Sequence, residues 1–153
     1  MKPLQRLLVV EDDPVLQAIY LNMFSSKYDM TLAIDGMEGW EVFQKEGGFP
    51  VILSDISMPR LNGIELGRKV LKFNPETQII FVTAMLDDET AILAMTMNAY
   101  CVPKPVEPLY IKIALSRAFE NSRLAIQRRE MKPALTLMQK LINGYDVNLG
   151  QAS

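Results

Sequence analysis

The chain has no histidine. That excludes Ser-His-Asp and Cys-His nucleophiles, histidine-ligated metals and a histidine phosphocarrier. Cysteine is almost absent as well: Cys101 stands alone among 153 residues, which rules out an internal disulfide and a thiolate cluster for a metal. A lone thiol suits a reducing cytoplasm, the expected location. No apolar run approaches the roughly 18 residues a membrane-spanning helix needs. The opening Met1-Lys2-Pro3-Leu4-Gln5-Arg6 leads straight into a strand-like run, so neither a signal peptide nor a membrane partner is expected. Excess charge of one sign is missing too. A formal net charge of -2 and a pI near 5.2 give no electrostatic case for direct nucleic-acid binding. No internal repeat or low-complexity segment interrupts the chain. Any chemistry must run on carboxylates, Lys, Thr and Ser.

What is present is ordinary for a globular protein: 49% hydrophobic and 22% charged residues, in a length that favours one domain with a proper core. Leu7 to Val10 is a fully apolar run and the expected first strand, ending at Glu11-Asp12-Asp13. Asp13 then fits an N-cap and Pro14 the first turn of a helix running to about Ser26. Asp29 to Ile34 reads as a second strand, and a helix carrying Gly39 to Phe43 stops by Gly47-Gly48. Val51 to Asp55 is a third strand, followed by a turn marked by Pro59 and Gly63 and a helix from Ile64 to about Phe73. Gln78 to Thr83 is apolar on both faces, as a central strand would be. Asp87-Asp88-Glu89 puts acids at the start of the next helix, which runs to about Met97. Tyr100 to Val102 is a short fifth strand, and a long helix starts near Glu107-Pro108 and runs to about Arg129.

Strand and helix alternate five times, which calls for an α/β fold: a doubly wound five-stranded parallel sheet with helices on both faces. Such a domain is complete by about residue 125. A boundary is expected near Lys132-Pro133, with a separate helical extension or linker over 126–153. In it, Leu135, Met138, Leu141 and Ile142 lie at helical spacing, Gly144 is the expected stop, and Asp146 to Ser153 reads as a frayed polar end. That last helix packs back on the domain, pairs with a second chain, or begins a linker to another domain.

The chemistry gathers at the strand ends. Glu11 and Asp12 follow the first strand, Asp55 the third, Thr83 the fourth and Lys104 the fifth. In a parallel sheet these ends converge on one edge, where ligands bind. Three carboxylates there repel one another, and Mg²⁺, a hard cation that takes oxygen ligands, is the natural counter-charge. Lys104 adds a mobile positive charge and Thr83 a hydroxyl. The set fits phosphoryl transfer to a carboxylate. A carboxylate is ionised at neutral pH and needs no general base. The rest of the catalysis is positioning and charge neutralisation.

Four pieces in order carry a family resemblance: Val9-Val10-Glu11-Asp12-Asp13; Asp55-Ile56-Ser57-Met58-Pro59 with Gly63 eight residues after Asp55; Thr83-Ala84; and Lys104-Pro105. Over roughly residues 5 to 125 the chain resembles the receiver domains of two-component response regulators. The resemblance implies the flavodoxin-like strand order 2-1-3-4-5. It implies Asp55 as phosphoacceptor, and Mg²⁺ held by Asp12, by Glu11 partly through water, by Asp55 and by the backbone carbonyl of Ser57. It implies Thr83 as a switch hydroxyl, Lys104 as the cation paired with the phosphoryl group, and a sensor histidine kinase or phosphotransfer protein as donor. The surface of the fourth helix, fifth strand and fifth helix would then meet an output protein, an effector domain missing here, or a second copy of the chain.

The chain departs from that family at the fifth strand. The switch aromatic, three residues before Lys104, falls on Cys101, and Tyr100 is its neighbour on the opposite face. Either the loop shortens and Tyr100 takes the role, or the switch lacks its aromatic. Two other classes stay open. One is a pseudo-receiver used only as a scaffold or dimerisation module. The other is a Mg²⁺-dependent phosphatase of the haloacid-dehalogenase type, which usually places a second acid two residues after its nucleophile, where this chain has Ser57. On the first reading the chain is not an enzyme beyond its own phosphorylation and dephosphorylation.

Overall fold

Short apolar runs, together with the mixed edge segment Tyr28–Ala33, become the five strands of the computed structural model, which describes residues 2–85 and 87–149. The order is β1 (Gln5–Val10), α1 (Pro14–Phe24), β2 (Tyr28–Ala33), α2 (Gly36–Glu46), β3 (Val51–Asp55), α3 (Gly63–Phe73), β4 (Gln78–Thr83), α4 (Asp88–Thr96), β5 (Tyr100–Pro103) and α5 (Pro108–Leu149). All four strand pairings are parallel, in the order β2-β1-β3-β4-β5. This is the flavodoxin-like doubly wound sheet.

Alternate residues of the strands feed opposite faces. On one face Leu7, Val9, Leu53 and Val82 pack with Tyr20 and Phe24 of α1 and with Ile111, Leu115 and Phe119 of α5. On the other, Leu8, Val10 and Ile52 meet Phe43 of α2 and Leu66 and Val70 of α3. There too, Ile79 and Phe81 meet Ile64 of α3 and Ala94 of α4. Both faces of β3 and β4 are covered, which is why those strands read as continuous apolar runs.

The helix starts are built by caps. Asp13 accepts the Val15 N–H, Asp35 the Glu38 N–H, and Asp87 the Thr90 N–H. Asn62 and Glu65 form a reciprocal capping box at α3. Losing such a cap costs about 1 kcal/mol.

The chain divides into two units, Met1–Ser122 and Arg123–Ser153. In the second unit the structure corrects two expectations. Pro133 does not mark a boundary; it lies inside one continuous helix, α5. A proline removes one intrahelical bond, here the one to the Arg129 carbonyl four residues back, and the helix continues through it on both sides. Gly144 does not stop the helix either, because it does not adopt the left-handed conformation that ends one. Of the expected frayed end, residues 146–149 are helical and 150–153 lie outside the described residues. No described helix is long and apolar enough to cross a membrane.

Candidate functional site

The strand order reverses between β1 and β3, and the loops leaving those two strands define a crevice at the sheet's C-terminal edge. Glu11 and Asp12 leave β1 and Asp55 ends β3. Each of the three offers a carboxylate oxygen, and these lie within 4.8 Å of one another. Glu11 and Asp55 are buried and Asp12 is exposed, so the cluster is walled by protein on one side and open on the other.

The loop after Asp55 is held from both ends. Gly63 donates its N–H to the Ile56 carbonyl at 2.9 Å, and a Cβ on Gly63 would collide with the Asp55 carbonyl, so only glycine lets α3 begin this close. Arg60, with φ of 69°, clamps Asp35 through Nε at 2.7 Å and Nη2 at 2.6 Å. Asp35 caps α2, so the loop is tied to a helix start, and these bonds hold the Asp35 carboxyl below its ordinary range despite its burial. Ser57 lies in this loop, two residues beyond Asp55, with its side chain exposed.

Lys104, just past β5, donates from Nζ to Asp55 Oδ2 at 2.9 Å and stands 3.8 Å from Glu11 Oε2. Burial works against its charge, but the hydrogen bond and the negative charges of Asp55, Glu11 and Asp12 raise its pKa. Glu11 is the strained member. Its Oε1 accepts the Asp13 N–H at 3.0 Å, while buried Oε2 has no hydrogen-bond partner among the described residues. Burial first, and the neighbouring Asp55 charge after it, push the Glu11 carboxyl up to about 7, against the pull of the Asp13 N–H and Lys104. An orphaned carboxylate oxygen beside two further acids is an all-oxygen donor set that fits a hard divalent cation such as Mg²⁺.

Thr83 is on the neighbouring strand, one residue past Val82, the pairing partner of Asp55. Its hydroxyl donates to the Met85 carbonyl at 2.9 Å and accepts the Met85 N–H at 3.2 Å, so its own loop holds it. Thus Glu11, Asp12, Asp55 and Lys104 come together, and Thr83 stands beside them with its hydroxyl turned elsewhere. The open question at β5 is also answered. Tyr100 packs with the α1/α5 core and its hydroxyl accepts from Asn121 Nδ2 at 2.5 Å, whereas Cys101 packs with the α3/α4 cluster. Cys101, paired with Phe81, is therefore on the face Thr83 shares, and no aromatic occupies that position.

Sequence reasoning missed Tyr20, counting it only as an apolar position of the first helix. Its ring is buried, its hydroxyl has no hydrogen-bond partner among the described residues, and burial together with the charges of Glu11 and Asp55 raises its pKa, so it backs the acid site. The Asp35–Arg60 clamp was missed too; the Asp35-Gly36 turn signal marked only the first partner.

Fold and acid edge together define a carboxylate-centred site on a flavodoxin-like sheet. A family model, response regulator receiver domain, matches residues 7–116. The chain belongs to that family, the receivers of two-component systems. It is 38% identical over 104 residues to the transcriptional regulatory protein DltR of Streptococcus agalactiae, covering 67% of this chain and 46% of that protein. To the transcriptional regulatory protein GlrR of Escherichia coli K12 it is 29% identical over 141 residues, covering 89% and 32%. The chain thus spans from about a third to just under half of the length of these relatives. A receiver domain protein from Clostridium thermocellum superposes with a TM-score of 0.72 at 29% identity, covering 80% of this chain and 99% of that one.

Proposed function

We propose that Asp55 accepts a phosphoryl group from a sensor histidine kinase or phosphotransfer protein. The observation that carries this reading is the 2.9 Å bond from Lys104 Nζ to Asp55 Oδ2 inside a cluster of three carboxylates. An Asp55 carboxylate oxygen attacks phosphorus, the bond from phosphorus to the donor breaks, and its electron pair leaves with the donor. Mg²⁺, held by Glu11, Asp12, Asp55 and the backbone carbonyl of Ser57, would supply the charge neutralisation that brings a phosphoryl group to an anion. Lys104 is placed to exchange an Asp55 oxygen for a phosphoryl oxygen, and Thr83 to release the Met85 carbonyl and donate to another. The added charge, roughly -1.5 to -2, biases two arrangements of this edge.

On this reading residues 1–125 are the receiver domain and 126–153 a helical extension or linker. The chain acts in the cytoplasm as a signalling module. Its only chemistry is its own phosphorylation and dephosphorylation. The surface of α4, β5 and α5 meets an output protein or an effector domain. Ser57, where a phosphatase of the dehalogenase type would have a second acid, speaks against general turnover. The test is acetyl phosphate or phosphoramidate with Mg²⁺, then intact mass. Wild type gains one phosphate and Asp55→Asn gains none; no adduct on either protein would leave only the scaffold reading.

A further inference from the structure

We propose that the second half of α5 pairs with the same segment of a second copy of this chain, as a parallel two-stranded coiled coil. Met131, Leu135, Met138, Ile142 and Tyr145 succeed one another at steps of four, three, four and three. That alternation is a heptad seam, with Leu135 and Ile142 at its a positions and Met131, Met138 and Tyr145 at its d positions. Each of the five is 54–75% exposed, and Leu141 beside them is 64% exposed. An apolar stripe on a globular helix normally faces a core; here the unit 123–153 offers, among the described residues, no element but this helix.

The helix is also a poor candidate to stand alone. It carries Pro133, Asn143 and Gly144 in its interior, all unfavourable there, with no burial to offset them. Its faults sit away from the seam. Pro133 takes the f position, opposite the stripe, where a bend opens the outer side and curves the seam inward. Thr136, Lys140 and Asn143 share that outer side.

The second copy is the occupant the pattern fits. A period of 3.5 residues keeps a stripe facing one partner helix along its length, which docking on a flat domain surface does not require. In a parallel pair each a residue meets its own copy, so Leu135 and Ile142 self-pair, and Arg128 at the preceding a position marks where the apolar seam begins; the flanking positions place Gln127 opposite Lys132 and Ala134 opposite Gln139, so no like charges meet at those flanks. At roughly 60–120 Å² of apolar surface per buried side chain, the six residues on two helices remove on the order of 1,000 Å², the lower range of a specific interface. Leu137 lies outside this seam.

The test uses the full chain carrying Asp55→Asn, so that it does not depend on phosphorylation. Sedimentation velocity across the micromolar range is expected to give twice the chain mass of 17.3 kDa. The double change Leu135→Glu and Ile142→Glu is expected to weaken self-association at least about tenfold by placing charges in the seam. Lys140→Glu, on the outer side, leaves it unchanged. In a Cys101→Ser background, Met131→Cys, at one end of the seam, is expected to cross-link on oxidation, because its copies meet in a parallel pair and lie roughly 20 Å apart in an antiparallel one; Lys140→Cys, on the outer side, is not. A monomeric parent, a dimer that survives the double change, or equal cross-linking at both positions would each overturn the proposal. Retained Trp40 fluorescence would show that the receiver fold is intact in every variant.

Discussion

The β1–β3 half of the sheet edge and its β4–β5 half are built to different standards. At β1 and β3 every expected acid is present, the loop after Asp55 is fastened by Gly63 and Arg60, and Lys104 reaches across to Asp55. At β4 and β5 the Thr83 hydroxyl is satisfied by Met85, the aromatic position is Cys101, and Tyr100 faces α5 instead. A nucleophile and its counter-charges tolerate little displacement, because charge interactions change steeply with distance in a poorly hydrated site. A read-out surface has only to differ between two states, and many packings achieve that. On the proposed function, the site's chemistry and its coupling to a surface are therefore expected to be separable in this chain.

The largest expected effect lies on the chemical side. Asp55→Asn abolishes the acyl-phosphate adduct seen by intact mass, whereas Thr83→Ala keeps an adduct and alters only the surface response to it. Equal loss in both would erase the division between the two halves.

Next is the pH dependence of Glu11. Its carboxyl is held at about 7 in the fold against an ordinary 4.5. Between those values the folded chain binds the extra proton, so without metal its stability falls as pH rises from about 4.5 to about 7, by at most about 3 kcal/mol. Urea unfolding at both ends of that window in Mg²⁺-free buffer measures it, and Glu11→Gln flattens the slope. Added Mg²⁺ favours the carboxylate and restores stability at the upper end, so its apparent affinity weakens as pH drops below about 7. A slope unchanged in Glu11→Gln would assign it to another group.

On the read-out side the effects are smaller. Cys101→Tyr asks the Ile64, Ile79, Phe81 and Ala94 cluster to accept an aromatic ring; overpacking there destabilises by about 1–3 kcal/mol while the adduct forms as before. No destabilisation would mean that this face already holds room for the missing ring. Tyr100→Phe removes the bond from Asn121 and costs about 0.5 kcal/mol at an exposed position, read as a small shift of the urea midpoint. A larger cost would make Tyr100 a structural strut between β5 and α5.

The central strands were legible because each apolar run is short and buried, as in Val51 to Asp55, and the edge strand Tyr28–Ala33 because its apolar residues alternate with polar ones before the Asp35-Gly36 turn. The acids were legible for the same reason, since a residue at a strand's end has a known place in a parallel sheet. Pro133 and Gly144 misled, because each is a preference worth a few kcal/mol at most, set against a helix that already extends on both sides. Tyr20 was illegible as part of the site, because an aromatic on a helix face looks alike whether its hydroxyl ends in a core or against an acid.

The sequence by itself determined the alternation of strand and helix, which acids, hydroxyl and lysine stand at the strand ends, and the absence of any histidine chemistry, because these depend on local pattern and residue type. It determined also that Tyr100 and Cys101 lie on opposite sides of β5. Only the tertiary structure decided which side each takes, that Glu11 Oε2 has no hydrogen-bond partner among the described residues, that Lys104 spans the gap to Asp55, and that Arg60 secures the loop through Asp35. These depend on how separate elements pack: Lys104 and Asp55 are 49 residues apart in the chain, and only sheet order and burial bring them to 2.9 Å.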